Sequence, residues 1–192
     1  PGLDLRAPEG ATWRQYMARS TDDGATWELT PMAEDPNGGY TEEVALLALG
    51  ADRLLALVRV HRGLESEGLG LLVFDGYRPW SVTKVFWDAT PPEHRIFVAD
   101  PDEGSRHNRG CAVDLTLFDR ATGEPLPMPS DFDEFTERAY ADWGGGSEPE
   151  RINRARLRAA MEQEDFKVFE FEWWHFDHGS WEEHPVLDLT FA

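Results

Sequence analysis

Ser105-Arg106-His107-Asn108-Arg109-Gly110-Cys111-Ala112-Val113-Asp114-Leu115-Thr116-Leu117-Phe118 is the stretch that decides the fold. From Cys111 to Phe118 the residues alternate. Cys111, Val113, Leu115 and Leu117 share one face of a strand; Ala112, Asp114 and Thr116 share the other. Asp114 therefore points from a core strand among small neighbours. A lone carboxylate there is costly unless it is paired or bound to a metal; an Asp that caps a loop is the equal alternative. His107 stands seven residues earlier, about 23 Å away in an extended chain. Both can serve one centre only if the chain folds back between them, and Asn108 and Gly110 tolerate such a turn.

Outward from this strand the pattern predicts an α+β chain with a mainly antiparallel central sheet flanked by helices. Val44–Leu49 is a short apolar strand. Ala51–Glu67 carries Leu54, Leu57, Val58 and Leu64 at helical spacing, and Gly68 fits its stop. Leu69–Phe74 is a buried strand, followed by a short helix from Arg78-Pro79 through Phe86. Residues 88–106 read as loop and Asp133–Ala141 as helix. Arg151–Gln163 is the most helical window, with Ile152, Ala155, Leu157, Ala160 and Met161 inward. Lys167–Glu172 alternates as a further strand. Near the N-terminus, Asp22-Asp23-Gly24 between Thr12–Ala18 and Thr26–Thr30 reads as a β-hairpin turn. Its surroundings, Ser20 to Trp27, resemble the Asp-box of sialidase-type propellers, but the box occurs once and reads as a plain hairpin.

The 192 residues fit a single domain, 1–192, with residues 1–40 as a divergent hairpin region. No run approaches the ~18 apolar residues of a membrane span. Against 37 acidic residues stand 18 basic ones, a net charge of −19. That balance argues against nucleic acid and against anionic membrane surfaces as partners. The single cysteine, Cys111, excludes an internal disulfide and reads as a small buried side chain. A cytoplasmic location is the first expectation. A periplasmic or secreted one stays open, because the sequence starts at Pro1 and a removed leader would leave no trace in it. Oligomeric state is not legible.

Two further clusters carry chemistry. Glu172-Trp173-Trp174-His175 offers a carboxylate and an imidazole, which reach one site only if their strand ends or bulges there; a core tryptophan pair with surface polar neighbours is the equal alternative. Asp75-Gly76-Tyr77-Arg78-Pro79 ends a buried strand, and its arginine is either a structural ion pair or a cation placed for an oxyanion. Together the clusters hold two His, an Asp and a spare Glu, the inventory of a catalytic zinc site with an open position. His61, His94, His178 and His184 are read as non-ligands, and Arg106 and Arg109 as structural ion pairs.

In order, Tyr77-Arg78-Pro79, the Ser-x-His-x-x-x-x-x-x-Asp motif of Ser105, His107 and Asp114, and Glu172-x-x-His175 resemble the VanX-type D-alanyl-D-alanine dipeptidases. These belong to a wider group of zinc peptidases that includes D-Ala-D-Ala carboxypeptidases and the hedgehog signalling domain. The resemblance spans about Leu69 to Phe176. It implies a zinc site in a cleft on the sheet, one Zn2+ per chain held by His107, Asp114 and His175. Glu172 would be the general base that activates the attacking water, and Arg78 would face the oxyanion. Ser105 would lie near the substrate carboxylate and Asp133 would hold the substrate ammonium. The implied substrate is a small free dipeptide, D-Ala-D-Ala first. A cell-wall D,D-carboxypeptidase or L,D-endopeptidase, or a non-catalytic zinc module, are the alternatives. The chain departs from the family in having Met128-Pro129-Ser130 where Met-Gly-Thr is usual, and in its first 40 residues.

Overall fold

The computed structural model describes residues 16–19, 28–31, 59–61 and 63–189. The chain divides into two compact units, Pro1–Ala45 and Leu46–Ala192. In the first, β1 (Tyr16–Arg19) pairs antiparallel with β2 (Glu28–Pro31), Tyr16 opposite Pro31. The Asp22-Asp23-Gly24 turn, the Val44–Leu49 strand and residues 51–58 of the first expected helix lie outside the described residues.

The second unit is built on a four-stranded antiparallel sheet of β3 (Leu69–Asp75), β4 (Ala112–Asp119), β5 (Phe166–Phe169) and β6 (Glu172–His178). Its order is β3-β4-β6-β5. Strand β4 is central and its first six residues are all buried. Val113, Leu115 and Leu117 enter the apolar core, where they join Trp174 and Phe176 of β6. Helix α1 (Trp80–Ala89) begins after Pro79. Helix α2 (Glu148–Glu162) contributes Leu157 and Met161 to the core. Residues 59–61 and 63–65 are helical, and Gly68 follows them with φ +73°, a left-handed value suited to glycine after a helix.

Several boundaries differ from the sequence pattern, each for a local reason. Helix α2 starts three residues before Arg151, because Ser147 and Glu150 close a capping box and Pro149 sits in the first turn. Its buried stripe runs through Asn153, Leu157 and Met161, which leaves Ile152 and Ala155 exposed. Asp133–Ala141 is not a helix: Asp133 takes φ +57°, and only Glu137–Ala139 forms a 3-10 turn. Pro92–Phe97 within the expected loop is also a 3-10 turn. Lys167–Glu172 is not one strand. A two-residue turn, Glu170-Phe171, reverses the chain, so that Phe169 faces Glu172 and Glu172 opens β6. No helix among the described residues is long and apolar enough to cross a membrane.

Candidate active site

Three strands bring one row of polar side chains together. Asp75 on β3 is opposite Asp114 on β4, and Asp114 is opposite His175 on β6. Directly opposed residues share a face, so the antiparallel register delivers this row without help from loops. Two irregularities aim it. In β3 the register shifts between Val73 and Asp75, which leaves Phe74 as the extra residue. In β6 the pairing jumps from Phe176 against Val168 to Glu172 against Phe169. Residues 173–175 are thereby released from regular pairing with β5, and Glu172 and His175 come to one place.

His107 arrives from the loop before β4. A 3-10 turn, His107–Arg109, closes on Gly110 at φ +60°, and this is the fold-back that the spacing to Asp114 requires. The buried Asn108 braces it, with Nδ2 donating to the Arg78 carbonyl and to Thr83 Oγ1, each at 2.8 Å. Its Oδ1 accepts the Ser105 N–H at 2.8 Å. The buried Ser105 hydroxyl in turn accepts the His107 N–H at 3.2 Å.

His107, Asp114 and His175 converge, each offering a ligand atom within 4.8 Å of the others. Nδ1 of His175 is 2.9 Å from Oδ1 of Asp114 and 3.2 Å from Nε2 of His107. Nε2 of His107 is 3.3 Å from the same Asp114 oxygen. Each imidazole has its other nitrogen engaged: Nδ1 of His107 with the Gly76 carbonyl at 2.6 Å, and Nε2 of His175 with Oδ1 of Asp177 at 2.9 Å. With a metal bound, outer acceptors of this kind would fix the tautomer and leave the inner nitrogens as lone-pair donors. Burial alone would raise the Asp114 carboxyl, but the charges and hydrogen bonds of His107 and His175 bring it well below the usual range. Burial lowers His175, and its bonds to Asp114 and Asp177 more than reverse that. Two imidazoles and a carboxylate, buried, convergent and braced from outside, fit a divalent metal ion.

Around the triad lie the remaining expected residues. Oε2 of Glu172 is 3.7 Å from Nδ1 of His175. The Glu172 carboxyl is raised to about 8, chiefly by burial and then by the Asp114 and Asp133 charges, against the pull of His175 and Arg78. Arg78 lies beside Asp114, with Nη2 at 4.0 Å from Oδ2. Both Nε and Nη2 of Arg78 donate to Oδ2 of Asp75, and the guanidinium rests 4.9 Å from the Phe86 ring centre. Asp133 is exposed as a residue, yet its carboxyl is raised to about 6. The protein around it does most of this, with Asp114 and Asp75 adding to it and Arg78 and His107 opposing it.

His61, His94, His178 and His184 stay outside the triad: among the described residues, only His107, Asp114 and His175 form such a group. Cys111 is buried, as expected. Arg106 lies 3.6 Å from Asp177 and stacks on Trp181. Arg109 instead donates to the His184 carbonyl and faces the same tryptophan. Three supporting groups have no role in the sequence reading: Asp75, Asp177 and the Gly76 carbonyl. Asp177 carried a signal, since two residues after His175 puts it on the same strand face. A backbone carbonyl carries none.

A family model described as D-Ala-D-Ala dipeptidase (peptidase family M15) matches residues 38–188. A D-alanyl-D-alanine dipeptidase of Enterococcus faecium is 34% identical over 171 residues, 79% of this chain and 81% of that one. Another from Escherichia coli K12 is 34% identical over 160 residues, covering 83% and 81%. A third, from Enterococcus faecalis, is 37% identical over 171 residues, covering 79% and 81%. With its convergent His107, Asp114 and His175 triad, the chain belongs to the D-Ala-D-Ala dipeptidase family of metal-dependent peptidases.

Proposed function

We propose that this enzyme hydrolyses the peptide bond of a free dipeptide, D-Ala-D-Ala first, with one zinc ion held by His107, Asp114 and His175. The observation that carries the reading is the buried triad with Glu172 beside it, 3.7 Å from the His175 nitrogen. Two imidazoles and one carboxylate suit zinc and leave a position open. When bound, the ion supplies Lewis-acid polarisation of the scissile carbonyl and acidifies the attacking water. Glu172 accepts the proton of that water and delivers it to the leaving amine. Arg78, beside Asp114, offers a fixed cation to the oxyanion. Asp133 pairs with the substrate ammonium. Ser105 faces the substrate carboxylate: its oxygen accepts from His107, and a hydroxyl retains its own hydrogen to give. Residues 1–192 act as one dipeptidase domain with a divergent N-terminal region.

A site that reads both a free amine and a free carboxylate measures substrate length, because a longer peptide leaves those groups unpaired. The test is hydrolysis of D,D-, L,D- and L,L-dipeptides and of N-acylated analogues, with and without added zinc. Zinc-dependent cleavage confined to free dipeptides, D-Ala-D-Ala fastest, is the expected result. Preference for N-acylated or longer peptides would make the enzyme a carboxypeptidase or endopeptidase. Absence of all hydrolysis by zinc-loaded protein would leave a binding module.

A further inference from the structure

The carboxylate of Asp75 divides its two oxygens between the two halves of the site. Oδ2 accepts from both Nε and Nη2 of Arg78. Oδ1 accepts the N–H of Gly76 at 2.8 Å. The carbonyl of that same Gly76 engages Nδ1 of His107 at 2.6 Å. The turn is closed from the other side as well: the Arg78 N–H donates to the His107 carbonyl at 3.2 Å, and Asn108 holds the Arg78 carbonyl. Asp75 itself is set by the sheet, opposite Asp114 and just past the extra residue of β3.

An arginine has many rotamers, and a long side chain beside two carboxylates can collapse onto either. Asp114 is the competing partner, with its Oδ2 at 4.0 Å from Nη2 of Arg78. If Arg78 swung onto Asp114 it would neutralise a group of the metal triad and leave the oxyanion position empty. Oδ2 of Asp75 takes two of the guanidinium donors and prevents this. The remaining Nη donors stay available for a ligand.

We propose that Asp75 is a positioning residue for the hydrolytic reaction: it holds the Arg78 guanidinium off Asp114 and, through the Gly76 peptide, ties it in register with His107. This rests on the reading of Arg78 as the oxyanion cation, and the test separates the two. Asp75→Asn keeps the size and a carbonyl oxygen for the Gly76 N–H, but turns an NH2 toward the guanidinium. A displacement of about 1 Å costs on the order of 10²-fold in rate. We therefore expect kcat for dipeptide hydrolysis to fall by roughly 10- to 100-fold, with KM changed by about threefold or less.

The experiment is a double-mutant cycle of Asp75→Asn and Arg78→Ala, on zinc-loaded protein with measured metal content and melting temperature. If Asp75 acts through Arg78, Asp75→Asn costs about threefold or less once Arg78 is gone. The same full loss in both backgrounds would overturn the proposal, as would wild-type kcat in Asp75→Asn. Wild-type turnover in Arg78→Ala alone would instead overturn the role given to Arg78. Asp75→Glu keeps the charge on a longer stem and serves the same cycle should the Asn variant not fold. Asp75→Ala also removes the Gly76 contact, so it should bind zinc more weakly than Asp75→Asn in chelator competition. Equal zinc affinities would overturn the link to His107.

Discussion

Oε2 of Glu172 lies 3.7 Å from Nδ1 of His175, although the two stand three residues apart on one strand. A regular strand would send them to opposite faces. The jump in pairing between Val168 and Phe169 removes that conflict. The backbone irregularity thus places a buried carboxylate beside the triad of His107, Asp114 and His175.

A base can be removed without losing the metal, and a ligand cannot. Glu172→Gln keeps size and most hydrogen bonding while abolishing basicity. Turnover should fall by at least about 10²-fold with near-normal zinc content. Metal analysis and initial rates on one preparation check this. Joint loss of zinc and activity would make Glu172 a ligand.

The triad itself is tested by His107→Ala. The wild-type protein should hold about one zinc per chain and the variant should lose it, because two donors remain where three converge. Full metal retention in the variant would sink the ligand assignment.

Strand β4 was legible because alternation is a local property. Cys111 to Phe118 displays it, and the structure keeps Ala112–Asp119 as the central strand. The His107–Asp114 fold-back was legible too, from Asn108 and Gly110. Bulges were not. The extra residue Phe74 and the release of 173–175 from β5 arise from how strands meet across the sheet, and a single strand's pattern does not record its partner's register. The Glu170-Phe171 turn was hidden for another reason: neither residue is a turn former, so Lys167–Glu172 reads as continuous. The helix expected at Asp133–Ala141 fails at its first residue, where a left-handed backbone overrides a helical composition. Asp75 was quoted with its cluster, but its partner could not be read off the chain.

Asp177 is predicted to support the metal from behind His175. Nε2 of His175 is 2.9 Å from its Oδ1, and Asp177 is steadied in turn by Arg106 at 3.6 Å. Removal of such an outer partner costs about 10–100-fold in metal affinity or activity. Asp177→Ala should therefore fold, bind zinc more weakly in chelator competition, and regain activity at raised zinc. Unchanged zinc affinity would show that the contact orients nothing.

Asp133 gives the sharpest test of substrate length, because the loop that carries it is held in place. Its backbone takes φ +57°, a left-handed conformation that a non-glycine residue adopts only when its surroundings impose it. Phe132 stacks on Phe74 with ring centres 4.4 Å apart and meets the edge of Trp174 at 5.6 Å. Trp173 Nε1 donates to Ser130 Oγ at 2.8 Å, and the Arg138 guanidinium donates to the Pro129 carbonyl. Hydrogen bonds to charged groups contribute about 1.5–3 kcal/mol, so Asp133→Asn should lower kcat/KM for a free dipeptide by roughly 10- to 150-fold. An N-acylated analogue has no ammonium and should change by about threefold or less. The pH dependence follows from the raised carboxyl. A group that titrates near 6 is protonated below that pH and cannot pair with an ammonium. A divalent cation held by the triad would pull it down, so the midpoint expected with the metal bound is at or below about 6. The ratio of kcat/KM for free over N-acylated substrate cancels groups that both need, Glu172 included. That ratio should fall as pH drops through the midpoint in the wild type and stay flat in Asp133→Asn. Equal losses on both substrates, or a ratio that still falls in the variant, would make Asp133 a structural residue of its loop.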